Sequence, residues 1–183
     1  MTKKKFPTIY AFIDSQNLNL GIRKNIYRGK KLIYNGWQLD FKKFRVYLKD
    51  KFRVSKAFLF IGRIKEYEKM YKQLESFGYK LVFKPTTKDS FGKPKGNIDA
   101  ELVLYSAAVE FPNYDKAVIV SGDGDFYCLY KYLMKNKKLF KIIIPNRYSE
   151  SSLLKEFQDC KIILNREQDK LEFGNKKTGG VAL

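Results

Sequence analysis

Ala117-Val118-Ile119-Val120-Ser121-Gly122-Asp123-Gly124-Asp125-Phe126 is an apolar, largely β-branched run that breaks into two glycines and then presents two carboxylates ahead of an amphipathic stretch. A continuous apolar run of this length reads as a strand buried on both faces, as in parallel sheets. The glycines admit positive φ and close backbone approach. The following segment, Phe126–Lys138, has helical spacing with Leu129, Leu133 and Met134 expected inward, which disfavours a hairpin. The unit is strand, turn, helix, and the rest of the chain repeats it. Strands are expected near 8–14, 55–61, 79–84, 116–121, 139–145 and 161–164, and helices near 38–52, 65–77, 98–111, 125–137 and 151–159, bounded by Gly, Pro, Asn or Ser. This alternation predicts an α/β fold with a mainly parallel central sheet covered on both faces, its strand ends gathered on one edge by right-handed crossovers.

The chain has 183 residues, 44% hydrophobic and 16% aromatic, which is enough for one domain with a sizeable core and argues against disorder. We expect the domain to occupy residues 1–165 and a flexible C-terminal tail to occupy 166–183, where the pattern gives way to Glu, Lys, Gly and Asn. No apolar run approaches the roughly 20 residues of a membrane span, and the run after Lys3-Lys4-Lys5 is too short for a secretory signal. Cys128 and Cys160 show no paired spacing, which fits a reducing cytoplasm. A net charge of +18 and a pI near 9.7 point to a polyanionic partner, with nucleic acid foremost. A solvated, lysine-rich surface explains the same charge by itself, since Lys supplies 30 of the 37 basic residues.

Acids at the strand ends tip that balance. Asp14 closes the first strand, Asp99 follows Gly96-Asn97-Ile98, and Asp123 with Asp125 follow the fourth strand. Ligands collect at the carboxyl ends of parallel strands, and carboxylates gathered there persist with a divalent cation between them or with some of them protonated. Each acid alone has a structural explanation. Asp14 reads as a helix cap, and Asp99 and Glu101 as first-turn acids behind an Asn97 cap. A cap reading accounts for Asp125 but leaves Asp123 without a reason. It is the joint occurrence that marks a site, with Asn17 and Ser121 in support and Glu101 beside Asp99. The absence of histidine excludes a Ser-His-Asp triad, imidazole acid-base catalysis and His-based zinc. Hard oxygen ligands remain, and these suit Mg²⁺ or Mn²⁺.

Two long basic loops are expected to flank this edge. Gly21–Gly36 carries Arg23, Lys24, Arg28, Lys30 and Lys31 among Tyr27, Tyr34 and the following Trp37; Lys84–Gly96 carries Lys88, Lys93 and Lys95 around Phe91. Cations alternating with rings grip a flexible strand through phosphate contacts and stacking. We take Arg23, Lys24, Arg28, Lys30, Lys88, Lys93 and Lys95 as candidate RNA contacts and Trp37 as a core anchor.

At these residues the chain resembles a known family. Phe12-Ile13-Asp14 with Asn17, Lys95-Gly96-Asn97-Ile98-Asp99, and Val120-Ser121-Gly122-Asp123-Gly124-Asp125-Phe126 with Leu129 look like the ordered motifs of NYN domains, the LabA-like branch of the PIN-like nucleases. Ser152, Leu154 and Asp159 look like the weaker closing motif, so the resemblance spans about Thr8 to Asn165. It implies a three-layer α/β/α sandwich, PIN-like and Rossmann-like, with a Mg²⁺- or Mn²⁺-dependent ribonuclease site. By that resemblance Asp14, Asp99 and Asp123 match the metal-binding acids, supported by Asn17, Ser121 and Asp125. The chain departs at Ser15, where many relatives carry glycine, and at Glu101, an extra acid; neither removes a ligand.

The expectation is hydrolysis of single-stranded RNA, with Asp14, Asp99 and Asp123 holding one or two ions and Asp125 orienting the attacking water, to leave 5′-phosphate and 3′-hydroxyl ends. A second reading is a basic RNA-binding or protein-interaction module with a silent acidic rim. A third, ranked last, is a small-molecule phosphatase, because Asp123-Gly124-Asp125 loosely echoes the Asp-x-Asp motif of haloacid-dehalogenase-like enzymes. The partner expected is RNA and no membrane, with self-association as a homodimer left open.

Overall fold

The computed structural model describes residues 6–84 and 98–174, and the backbone alone of 87–88 and 94–95. Ten strands are present among these residues: β1 (Ile9–Asp14), β2 (Ile26–Arg28), β3 (Lys31–Tyr34), β4 (Val54–Gly62), β5 (Tyr79–Lys84), β6 (Thr87–Lys88), β7 (Pro94–Lys95), β8 (Lys116–Val120), β9 (Leu139–Ile144) and β10 (Lys161–Ile163). Six α-helices accompany them: α1 (Ser15–Arg23), α2 (Phe41–Phe52), α3 (Glu68–Ser76), α4 (Asp99–Leu104), α5 (Tyr127–Lys135) and α6 (Gln168–Leu171). The central sheet has six strands in the order β10-β9-β8-β1-β4-β5, parallel at every pairing. All six were expected from the apolar runs. Helices flank both faces, giving a three-layer α/β fold.

β1 shows how the layers arise. All six of its residues are buried, and side chains alternate across the sheet. Ile9, Ala11 and Ile13 join one core with Leu18 and Ile22 of α1 and Phe44 and Leu48 of α2. Tyr10 and Phe12 join the other core with Leu102 of α4, Leu129, Tyr130 and Leu133 of α5, and Phe157. Asp14 continues the second series. In sheet position the strands run third, second, first, fourth, fifth, sixth, so chain order reverses between β1 and β8. In open α/β sheets such a reversal is where ligands bind, outside the carboxyl ends of the strands.

Several expectations need correction. Met134, placed inward by periodicity, is 42% exposed, while Phe126 and Tyr130 are fully buried, because the helical face turns earlier than the leucine spacing implies. The helix expected over 98–111 is α for six residues, then a π turn over Tyr105–Val109 and a 3₁₀ turn over Phe111–Asn113. Ser106 Oγ donates to Leu102 O at 2.7 Å, a bond that loosens the helical ladder, and Pro112 ends it. Ser152–Cys160 is 3₁₀ rather than α. Helix α1 is not among the expected helices and its last residues overlap the expected Gly21–Gly36 loop, because Asn17, Asn19 and Gly21 are poor helix formers; burial of Leu18 and Ile22 and the Asp14 cap sustain it. The tail expected from residue 166 is corrected for 166–174. There α6 buries Leu171, Asp40 N donates to Leu171 O at 2.8 Å, and Phe173 N donates to Gln38 O at 2.8 Å. Trp37 is 5% exposed and lies in the first core, as its anchoring role required. Cys128 and Cys160 are free thiols. Among the described residues no helix is long and apolar enough to cross a membrane.

Candidate active site at the strand switch point

β1 and β8 are hydrogen-bonded neighbours, with Ile13 paired to Val120, so Asp14 and the Ser121–Asp123 turn leave the sheet side by side. Asp14 is 4% exposed and caps α1, its Oδ1 accepting from Asn17 N at 2.9 Å. Burial raises its carboxyl from an ordinary 3.8 to about 6; N–H groups of Asn17 and Gln16 oppose the rise, and the like charges of Asp99 and Asp123 add to it. The fold therefore brings these three aspartates, far apart in the chain, within electrostatic reach of one another. Asp99 is the first residue of α4 and is half-buried. Asn97, expected to cap that helix, lies outside the described residues.

Asp123 Oδ1 accepts from Asp125 N at 3.0 Å and so caps the 3₁₀ turn Gly124–Phe126 that opens α5. The cap thus belongs to Asp123, which corrects the reading that capping would explain only Asp125. Asp125 itself is exposed at the mouth. Neither Gly122 nor Gly124 adopts positive φ, which corrects that part of the glycine reading. Close approach is their reason: a Cβ at Gly124 would stand 2.4 Å from Ser151 Oγ, and one at Gly122 would stand 3.3 Å from Ile144 Cγ2.

The supporting residues divide. Asn17 Oδ1 accepts from Gly122 N at 2.9 Å, joining α1 to the turn after β8. Ser121 is fully buried, and its Oγ accepts from Asp123 N at 3.2 Å. Glu101 pairs with Lys84 at 3.2 Å, tying α4 to the end of β5. Replacing Asn17 with alanine leaves the Gly122 N–H without its acceptor, and we expect a loss of about 1–3 kcal/mol in stability by chemical denaturation. Asn17→Asp should retain more of the stability because it keeps an acceptor there.

Asn146 was missed. It is fully buried after β9; its Nδ2 donates to Gly21 O at 2.9 Å and its Oδ1 accepts from Tyr148 N at 3.0 Å, closing the rim against α1. The signal was present in Pro145-Asn146 at a strand end, the same pattern that singled out Asp14. Arg23 ends α1, Lys24 follows it, and Arg28 and Lys30 stand exposed on the β2–β3 hairpin. Lys93 and the side chains of Lys88 and Lys95 lie outside the described residues.

Among the described residues no group of three or more His, Cys, Asp or Glu is close enough, as placed, to hold a metal ion. The donor chemistry nonetheless fits a hard divalent cation. The Asp14 carboxylate is destabilised first by burial and then by like charge, and Mg²⁺ characteristically uses one or two carboxylates and retains several waters rather than filling an all-protein cage.

Fold and rim together define a PIN-like α/β domain. The chain belongs to the NYN domain family, whose model matches residues 8–164. This family lies within the PIN-like nuclease superfamily. No curated protein matches the chain. A crystal structure of a protein of unknown function from Vibrio parahaemolyticus is similar in fold, with a TM-score of 0.69 at 22% identity over 93% of this chain and 99% of that one.

Proposed function

We propose that this NYN domain is a metal-dependent ribonuclease that hydrolyses phosphodiester bonds of single-stranded RNA at the β1/β8 switch point. The observation that carries this reading is the buried Asp14 carboxyl, raised to about 6 by its burial and by the neighbouring Asp99 and Asp123 charges. A protein that keeps such a group at a strand end accepts an instability that a bound cation would relieve. Asp14, Asp99 and Asp123 would hold Mg²⁺ or Mn²⁺, which supplies charge neutralisation at the phosphoryl group and acidifies water. The chain's own residues do the positioning. N–H groups of Asn17 and Gln16 orient Asp14, Asn17 locks the Gly122 turn to α1, and Ser121 fixes the backbone of Asp123. Asp125, exposed at the mouth, would orient the attacking water and accept its proton at a carboxylate oxygen, while the P–O3′ bond breaks and the leaving oxygen takes a proton from solvent, giving 5′-phosphate and 3′-hydroxyl products.

The test is cleavage of end-labelled single-stranded RNA with Mg²⁺ or Mn²⁺, with EDTA, and by Asp123→Asn. We expect cleavage only with the metal and a rate at least about 100-fold lower in the variant. Undiminished cleavage in EDTA overturns the metal role. A second reading, a basic RNA-binding module with a silent rim, is favoured by the lack of a ready three-ligand group among the described residues. It predicts RNA affinity that survives or improves in Asp123→Asn, with no cleavage by either protein.

A further inference from the structure

The segment between Asp14 and Asp40 contains no acidic residue but carries Arg23, Lys24, Arg28, Lys30 and Lys31. It is the segment that builds α1 and the antiparallel ribbon β2–β3. Gly29, with φ +60° at the first central position, makes the tight turn between the paired Arg28 and Lys31.

A two-stranded ribbon alone is marginally stable, so its anchoring matters. Tyr34 OH donates to Ile22 O at 2.7 Å, Gly36 N donates to Asn25 Oδ1 at 2.8 Å, and Trp37 N donates to Ile22 O at 3.1 Å. Only glycine fits at 36, because a Cβ there would lie 1.9 Å from Arg23 O. The Tyr34 ring stands 6.3 Å, centroid to centroid, from that of Tyr148 in the loop after β9. The ribbon is therefore rooted on the strand-end edge, beside the rim that carries Asp14.

At the root, Ile26 and Tyr34 pair toward the core; the next pair, Tyr27 opposite Leu32, faces outward. Tyr27 is 57% exposed and Leu32 is 43% exposed, although Tyr34, seven residues along, is buried. A ring and an apolar partner held outward, with Arg28, Lys30 and Lys31 at the tip and Lys24 at the base, make a stacking plate bordered by cations. Unpaired bases offer a π-face to such a plate, whereas bases within a duplex are already stacked on their neighbours.

We propose that the β2–β3 ribbon is a docking platform for single-stranded RNA, with Tyr27 stacking a base and Arg28, Lys30 and Lys31 holding the flanking phosphates. This rests on the proposed ribonuclease reading only for the strand's destination. The test is fluorescence anisotropy of labelled single-stranded and duplex RNA of about 12 nucleotides, in EDTA so that binding is read without cleavage. Tyr27→Ala should weaken single-strand binding about tenfold, Tyr27→Phe should restore it, and duplex affinity should move less than about twofold. Arg28→Gln should lower the slope of log affinity against log salt by about 0.7. An unchanged Tyr27→Ala affinity, or equal losses for duplex and single strand, overturns the stacking platform. Binding that behaves as described in a protein that never cleaves RNA keeps the ribbon and removes the nuclease; cleavage indifferent to Tyr27→Ala in both rate and affinity does the reverse.

Discussion

Asp14→Asn is expected to make the metal-free protein more stable at pH 8 while reducing RNA cleavage at least about 100-fold. The physical reason is the position of the carboxyl, raised from 3.8 to about 6 first by burial and then by Asp99 and Asp123. In the folded state the group holds its proton more tightly than in the unfolded chain. Its favourable contribution is complete below about pH 4, declines as pH rises toward about 6, and is absent above that. The loss at pH 8 is on the order of 3 kcal/mol for a fully expressed shift. Asparagine is neutral, nearly isosteric and among the best N-caps, so the Asn17 N–H keeps its acceptor. Thermal unfolding at pH 8 in EDTA should therefore show the variant melting about 5 °C or more above the parent, and at pH 4 the two should converge. A variant less stable at pH 8 that still cleaves RNA would remove Asp14 from the site.

Divalent cations should reverse that instability, and the reversal should depend on pH. An ion that binds only the folded state adds about 2.7 kcal/mol at a concentration 100 times its Kd. Below about pH 6 a proton competes for Asp14, so the rise in Tm produced by Mn²⁺ should be large at pH 8, reduced near pH 6 and nearly gone at pH 5. Cleavage should climb over the same interval. The measurement is a set of melting curves with and without Mn²⁺ at the three pH values, for the parent and Asp14→Asn. A Mn²⁺ shift of equal size in the variant, or one that ignores pH, would place the ion elsewhere on the molecule.

Periodicity made the six sheet strands legible, because a strand covered on both faces has to be apolar throughout, as Ile142–Ile144 and Ala117–Val120 are. It failed where packing overrode local preference. Helix α1 contains two asparagines and a glycine, and forms because Leu18 and Ile22 have a core to enter. Residues 166–174 read as polar tail, yet Leu171 buries itself in the first core and carries its neighbours with it. In the site, the acids were visible as residues after strand runs and the cap at Asp14 was legible, but the capping duty of Asp123 was not. Both Asp14 and Asp123 lend Oδ1 to a helix-opening N–H, so a cap and a site member are here the same residue.

By itself the sequence determined the α/β class, the identity of the strand-end acids and the basic character of the surface, since these follow from local periodicity and from charge, which need no partner in space. The order of the strands was decided only in three dimensions. So were the adjacency of β1 and β8, the clamps from Asn17 to Gly122 and from Asn146 to Gly21, and the electrostatic interaction of Asp14 with Asp99 and Asp123. The reason is that a carboxyl's environment is set by what crosses over it. Asp14 holds its proton up to about pH 6 first because the folded chain buries it and then because the crossovers bring the charges of Asp99 and Asp123 within reach of it.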